Sequence, residues 1–406
     1  MNTATKLWNK NFMMFVVGME FNLIGSELLK FVLPLYVLLE TGDPTLMGTV
    51  LALSSVPFIA LTPVGGVIAD RVNKRKLLGL MNLATAIAIF VYFALAGQLD
   101  IVPATVMMML VLFAFESMIS PSMEATVPAL VPEGELVKAN SATFLLTTIS
   151  SIGAPIIGGF LLERFGVTPV LLISIACYVL AGMVKFLVRI PYIKQDRTES
   201  LSATIVTDIK DGLRCITKEK PELGKLVIIV ALFGLTLAPS LSALNVIVTT
   251  HLGMAETMVG LIRGLIVVGG VVGVMLLGTL GEKANISMIR TLLFIASMTF
   301  VPVGLSLMWS DHRPLIFVVV VVSFFIQLAS TTMMGIINWA HIGEKTPPHL
   351  IGKIYSLTFA FMGLGGAIGD YLYGHLLGHF IETPWMALFI IAGASAIVAV
   401  GAKIKE

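Results

Sequence analysis

The chain has 406 residues, of which 57% are hydrophobic and 12% are charged, and its formal net charge is +2. A soluble protein carries about 25% charged residues, so this composition excludes an ordinary soluble domain and indicates a chain solvated by lipid. The two cysteines, Cys177 and Cys215, lie far apart and indicate neither a disulfide framework nor a metal site.

Apolar segments long enough to span a bilayer recur along the chain. We predict twelve spans, at residues 12–38, 45–69, 76–98, 102–125, 141–162, 168–188, 224–250, 257–281, 288–309, 314–338, 353–378 and 384–402. With both termini in the cytoplasm, the inside segments hold 21 lysines and arginines, and the outside loops hold Arg164 and Arg313. This asymmetry predicts cytoplasmic termini. No cleavable signal peptide is expected.

The longest connection separates six spans from six. We therefore predict an N-terminal half over residues 1–190, a cytoplasmic linker over 191–223 and a C-terminal half over 224–406. Apolar residues recur at helical spacing in the linker, namely Ile205, Ile209, Leu213 and Ile216. This spacing indicates an amphipathic helix on the cytoplasmic surface, and the alternative is a linker that only tethers the halves.

A short charged hinge follows the second span and has an echo in the second half. Gly66 matches Gly278 and Asp70 matches Glu282, both at an offset of 212 residues. An offset of about half the chain predicts a duplicated helical bundle, an architecture typical of secondary transporters.

The hinge resembles the major facilitator superfamily pattern Gly-x-x-x-Asp-Arg-x-Gly-Arg-x-Arg/Lys. The residues that fit are Gly66, Asp70, Arg71, Lys74 and Lys76. Asn73 stands where the pattern has a glycine, and we expect it to adopt the left-handed backbone of that turn. The resemblance implies an all-α membrane protein with twelve transmembrane helices in two pseudo-symmetric halves. It also implies that the hinge is a conformational latch for the outward-open state.

Further stretches are similar to the bacterial macrolide-efflux and siderophore-exporter branch. They are Asn9-Lys10-Asn11-Phe12, Leu33-Pro34-Leu35-Tyr36 and Thr41-Gly42-Asp43. The fifth span resembles the antiporter signature Gly-Pro-x-x-Gly-Gly through Gly153, Pro155, Gly158 and Gly159, with Ala154 in place of its first glycine. The resemblance implies export, and the alternative for this stretch is close helix packing.

Ionisable side chains within spans are costly and therefore indicate function. They are Glu20, Glu27, Lys30, Glu116, Arg263 and Asp370. Depth along each span divides them into two tiers. An inner tier of Glu20 and Glu116 has no base near it in sequence and predicts a proton site. Lys185 and Glu124 lie near the ends of their spans, and we expect the lysine to extend to the headgroups.

The outer tier holds two acids and two bases. Glu27 and Lys30 are spaced to pair on one helix face, and Arg263 and Asp370 are candidates for a second pair. The outer tier is therefore open to a structural reading as well as a functional one. Asn245, Gln327, Asn338 and Trp339 in the seventh and tenth spans are further candidates for polar cavity groups.

The resulting prediction is a proton-coupled exporter in a bacterial inner membrane. Its substrate is a small amphipathic compound, drug-like or siderophore-like and cationic or neutral, which implies antiport and multidrug resistance. The predicted partners are substrate, protons and lipid, with no nucleic acid, and the protein is expected to be a monomer. No phosphate-binding loop or catalytic triad is present, so we predict no enzyme activity, no cofactor and no metal. The alternatives are a symporter or lysolipid transporter on the same fold, and a non-transporting scaffold or receptor.

Overall fold

The computed structural model describes residues 8–124, 126–132, 135–190, 201–280, 285–309, 312–347 and 350–401. Within these ranges the regular elements are α-helices and two π-helical turns, with no β-strand. The helices are α1 (Lys10–Thr41), α2 (Pro44–Arg71), α3 (Lys74–Leu95), α4 (Ile101–Glu124), α5 (Val127–Leu130), α6 (Leu136–Phe165), α7 (Val167–Leu187), α8 (Leu201–Arg214), α9 (Pro221–Val246), α10 (Glu256–Leu280), α11 (Met288–Met298), α12 (Phe300–Trp309), α13 (Arg313–Lys345), α14 (Ile351–His379) and α15 (Pro384–Gly401).

Ten helical segments of the described chain are long and apolar enough to cross a membrane, counting α11 and α12 as one. The helices α9 and α14, with 26 and 29 residues, lie at the two remaining predicted spans. The all-α membrane fold predicted from composition is therefore confirmed.

The ninth predicted span is interrupted. It divides at Thr299 into α11 and α12. Pro302 lies in the first turn of α12 and has no N–H to donate to the Met298 carbonyl. The ladder of helical hydrogen bonds is broken at this point, which accounts for the division.

The chain forms two compact units. The first contains residues 1–36 and 54–206. Within it α3 packs along α7, where a Cβ on Gly79 would lie 2.5 Å from the Phe186 ring. A buried apolar cluster joins α1, α3 and α4 through Phe12, Phe15, Leu78 and Ile119. Glycine therefore permits the close approach that seats α7 beside α3.

The second unit contains residues 37–53 and 207–406. Its closest helix pair is α9 with α14, where a Cβ on Gly365 would overlap the Ala231 carbonyl. Residues 37–53 pack in this unit through Gly48, where a Cβ would lie 2.7 Å from the Gly374 Cα atom. Small residues thus hold the backbones of these helices in near contact.

The helix α8 in the linker docks on the second unit. Lys353, near the start of α14, lies 3.0 Å from Asp208 and 2.6 Å from Asp211. The next residues, Cys215 and Ile216, are buried in the apolar core of that unit. One face of α8 is therefore fixed by an ion cluster and by core packing. Its predicted place on the membrane surface, and the role of residues 191–223 as a linker, stay predictions.

The hinge between α2 and α3 forms without a left-handed residue. Asn73 has φ −66° and ψ 105°, which is extended backbone, and its side chain accepts a hydrogen bond from the Lys76 N–H. The expectation of a left-handed turn was therefore wrong. Asparagine instead caps α3, because its side-chain oxygen satisfies an N–H group left free at the helix start.

Candidate functional site

Three ionisable side chains meet in the first unit. Lys30 Nζ on α1 lies 2.7 Å from Glu116 Oε2 on α4 and 3.6 Å from Glu27 Oε1 on α1. Ser26, one turn before Lys30, donates a hydrogen bond to the other oxygen of Glu116. These contacts define the ion triad, Glu27, Lys30 and Glu116, in which one ammonium serves two carboxylates.

The prediction that Glu116 has no base beside it was therefore wrong, as was the division between Glu116 and the outer tier. Lys30 lies eleven residues before the end of α1, and Glu116 lies fifteen after the start of α4. At 1.5 Å per residue their depths differ by about 6 Å. An extended lysine side chain spans that distance. Depth along the helix axis was therefore not enough to predict that Lys30 and Glu116 are in contact. The predicted Glu27–Lys30 pair is present.

The triad borders a cavity of about 680 Å³. Its lining is mainly apolar, with Lys30, Glu116 and Glu124 as the charged members. Phe58 and Phe113 stand edge to face with ring centroids 6.3 Å apart. The full lining is Met19, Asn22, Leu23, Lys30, Phe58, Phe113, Glu116, Ile119, Ser120, Met123, Glu124, Val127, Pro128, Thr143, Phe144 and Thr147. An apolar cavity of this size with a few polar groups suits a drug-sized molecule.

Glu20 lies apart from the triad. Its carboxylate accepts a 2.6 Å hydrogen bond from Ser150 on α6, and it is not among the residues lining the cavity. The other carboxylate oxygen of Glu20 is buried and has no hydrogen-bond partner within the described residues. The structure therefore places the two predicted inner acids in different surroundings.

The helix that carries the export signature approaches α1 closely. A Cβ on Gly158 would lie 3.0 Å from Val32 and 3.1 Å from Phe31. Pro155 lies inside α6, which continues past it, and Gly159 is buried. Among the described residues, a Cβ on Gly153 would meet no heavy atom within 4 Å apart from its own helix backbone and chain neighbours. Close packing is thus seen at Gly158, and the role of this stretch in export stays a prediction.

Two polar candidates of the second unit, Asn245 and Gln327, form hydrogen bonds with other segments of that unit. Asn245 is buried and donates to Met47 Sδ at 3.5 Å. Gln327 accepts from Ser240 and donates to the Ala296 carbonyl at 3.4 Å. Their placement on a substrate path stays a prediction.

Asn338 and Trp339 are adjacent on α13 but differ in their surroundings. Asn338 is 1% exposed, and neither atom of its amide has a partner within the described part of the chain. Trp339 packs edge to face with Tyr355 and at a tilt against Phe359, with centroid distances of 5.1 and 4.6 Å. The tryptophan is therefore part of an aromatic cluster, and a substrate contact at either residue stays a prediction.

Arg263 on α10 and Asp370 on α14 are both partly exposed members of the second unit. Their pairing stays a prediction.

The latch falls partly outside the described residues. For Gly66, Asp70 and Arg71 the structure describes only the helical backbone of α2, and Gly281 to Ala284 of the echo are not described. Lys74 and Lys76 lie in the first turn of α3. The latch role therefore stays a prediction.

Lys185 is a buried charge that sequence reasoning placed wrongly. Its side chain is fully buried, with Nζ 3.2 Å from the Phe15 carbonyl oxygen and 3.7 Å from the Phe15 ring centroid. The side chain passes Gly18, where a Cβ would lie 3.2 Å from Lys185 Cε. It does not extend towards headgroups, because α1 offers an aromatic face and a carbonyl that together stabilise the ammonium.

Membrane-length helices with an ion triad beside an apolar cavity are the architecture of a multi-pass membrane transporter. The chain belongs to the Major Facilitator Superfamily, whose family profile matches residues 12–370. This match confirms the family that the hinge motif between α2 and α3 indicated.

Relatives among characterised proteins include exporters. Macrolide efflux protein A of Streptococcus pyogenes is 26% identical over 375 residues, which cover 89% of this chain and 88% of the relative. Enterobactin exporter EntS of Shigella boydii serotype 4 (strain Sb227) is 25% identical over 366 residues, which cover 87% and 82%. The macrolide and siderophore-exporter branch is therefore confirmed.

Solved structures agree on the fold. The nucleoside transporter NupG superposes with a TM-score of 0.75 at 15% identity, covering 98% of this chain and 100% of the other. A bacterial homologue of the iron transporter ferroportin in an inward-facing state gives 0.74 at 16% identity, covering 97% and 98%. Likeness at this identity shows the fold alone.

Proposed function

We propose that this transporter exports a small amphipathic compound in exchange for protons, with the cavity of the first unit as the substrate site. The observation that carries the proposal is the position of Glu116. It lines an apolar cavity, and its two oxygens contact Lys30 and Ser26. A carboxylate in such surroundings can hold either a cation or a proton, and exchange between them couples the two fluxes.

The names of two relatives support outward transport. Macrolide efflux protein A and enterobactin exporter EntS are both exporters by name. Outward transport in exchange for inward protons needs a group that changes partner on the two sides of the membrane. We assign that group to Glu116 and a supporting proton relay to Glu20, which accepts from Ser150 on a different helix.

The location follows from the charge distribution. The excess of lysine and arginine in alternate loops supports cytoplasmic termini in a bacterial inner membrane. Substrate would then be taken from the cytoplasm or the inner leaflet and released outside.

Transport in vesicles tests this function. Purified protein in proteoliposomes, inserted with its termini outside, should accumulate ethidium when the lumen is acidic. Ethidium is permanently charged, so a pH gradient alone does not concentrate it, and empty liposomes provide the control. Accumulation should stop when nigericin collapses the gradient. Uptake that is independent of the gradient, or that occurs only when the gradient is reversed, would contradict proton-coupled export.

The latch has its own test. Asp70→Asn keeps the side-chain shape and removes the charge on which the proposed latch depends, so ethidium accumulation should fall about tenfold or more while expression stays normal. Asp43→Asn, in the loop between α1 and α2, is the matched control and should transport normally. Unchanged flux in the Asp70 variant would remove the latch assignment.

A further inference from the structure

The ammonium of Lys30 already fills a site built for an organic cation. It lies 2.7 Å from Glu116 Oε2, 3.6 Å from Glu27 Oε1 and 5.4 Å from the centroid of the Phe113 ring. Carboxylate oxygens and an aromatic face are the groups with which proteins recognise ammonium ligands. Lys30, Glu116 and Phe113 all line the cavity, so this site opens into the space where we place the substrate.

We propose that Lys30 is an internal competitor of the substrate, which displaces it from Glu116, and that this competition selects amphipathic cations with one charged nitrogen. The inference rests on the proposed function only in taking the cavity as the substrate site. It assigns to Lys30 a role in specificity that differs from a fixed structural ion pair.

The charge of the site favours a cation. Two carboxylates contact Lys30, and Glu124 is a third acid in the lining of the same cavity, where Lys30 is the one basic residue among those that the structure describes. An anionic ligand would meet this negative field and would also have to compete with Glu116 for Lys30. A cationic ligand instead gains Glu116 directly.

The geometry gives the displaced lysine a second partner. Glu27 lies three residues before Lys30 on the same helix face, at a spacing that suits an ion pair. The Lys30 side chain is 28% exposed, so it has room to move away from Glu116. Displacement therefore leaves Lys30 with the Glu27 contact that it already has and does not leave a bare ammonium in the cavity.

The remaining lining describes the body of the ligand. Phe58, Phe113 and Phe144 supply aromatic faces, and Met19 and Met123 supply flexible apolar ones. A cavity of about 680 Å³ accepts a molecule of drug size. The substrate class is thus a compact aromatic or aliphatic body that carries one amine or quaternary nitrogen.

Binding to detergent-solubilised protein tests the competition. Ethidium provides the cation, and N-phenyl-1-naphthylamine provides a neutral apolar probe of similar size. Lys30→Met removes the competitor and keeps the length of the side chain, so ethidium affinity should rise about tenfold or more. Affinity for the neutral probe should stay unchanged. Lys30→Arg keeps the competing charge and should show no gain in ethidium affinity.

A charge-matched double variant separates competition from a general field effect. Glu27→Gln with Lys30→Met has the same net charge as the wild-type triad but leaves Glu116 without Lys30. Ethidium affinity should rise in this variant too, and it carries the test if the single variant does not stay folded. Unchanged affinity in both variants, or a rise that disappears in the double variant, would overturn the proposal.

Failure of the inference and failure of the proposed function give different results. Binding needs no gradient, so a gain in ethidium affinity without gradient-driven uptake by wild-type protein would sustain the competition and reject proton-coupled export. Gradient-driven uptake by wild-type protein, without any gain in ethidium affinity in the Lys30 variants, would support proton-coupled export and reject the competition.

Discussion

Glu116→Gln is expected to abolish the uphill accumulation of ethidium and to leave downhill exchange measurable. Glutamine keeps the shape of the side chain and can still accept from Ser26, but it cannot exchange a proton for a cation. Lys30 would lose the charge that lies 2.7 Å from its Nζ atom and keep only Glu27. The variant should therefore still bind and release substrate down a gradient, at a rate independent of pH.

Proton release measures this loss directly. If the substrate cation and a proton compete for Glu116, adding ethidium to solubilised wild-type protein should release protons, and the Glu116 variant should release about tenfold fewer or none. Asp43→Asn is the control, because it removes a carboxylate outside the ion triad and should retain uphill transport. Equal proton release by wild type and the Glu116 variant would place coupling elsewhere, with Asp370 as the next residue to test.

The fold was largely predictable from sequence, because lipid solvation leaves a strong signal. Apolar length predicted twelve spans, and ten helical segments of the described chain are long and apolar enough to cross a membrane. The hinge motif indicated the family, which the profile match over residues 12–370 confirms. The break between α11 and α12 depends on Pro302. A proline within a long apolar segment is compatible with either a kinked helix or a broken one. Length and hydropathy do not record such a break.

The ion triad was only half predictable. Glu27 and Lys30 share a helix, so their spacing gave the contact. Lys30 and Glu116 are 86 residues apart in sequence and lie on different helices. Their contact depends on how α1 and α4 pack and on the length of the lysine side chain. Single-sequence periodicity carries no information on that packing.

Lys185 shows the same limit. Its position near the end of α7 suggested a side chain reaching outward, and only the packing of α1 shows that Phe15 and Gly18 form a place for it. The docking of α8 likewise depends on a lysine from another helix, because Lys353 lies 142 residues beyond Asp211. The sequence alone therefore does not predict which charged side chains from distant segments come into contact.

Lys30→Ala is expected to lower the stability of the solubilised protein more than any other change in the ion triad. The side chains of Lys30 and Glu116 are 28% and 11% exposed, between the surface and the fully buried case, so we expect a loss of about 1–3 kcal/mol. Glu27→Ala should cost about 0.5 kcal/mol or less, because it removes only a longer contact within one helix.

The double variants identify the partner that matters. Removing Lys30 leaves Glu116 as an uncompensated charge beside an apolar cavity, and an unpaired charge costs more than an absent pair. Lys30→Ala with Glu116→Ala should therefore recover part of the loss in thermal stability. Lys30→Ala with Glu27→Ala should recover little, since Glu116 stays unpaired. Recovery of equal size in both double variants would show that the two carboxylates share Lys30 evenly, contrary to their distances of 2.7 and 3.6 Å.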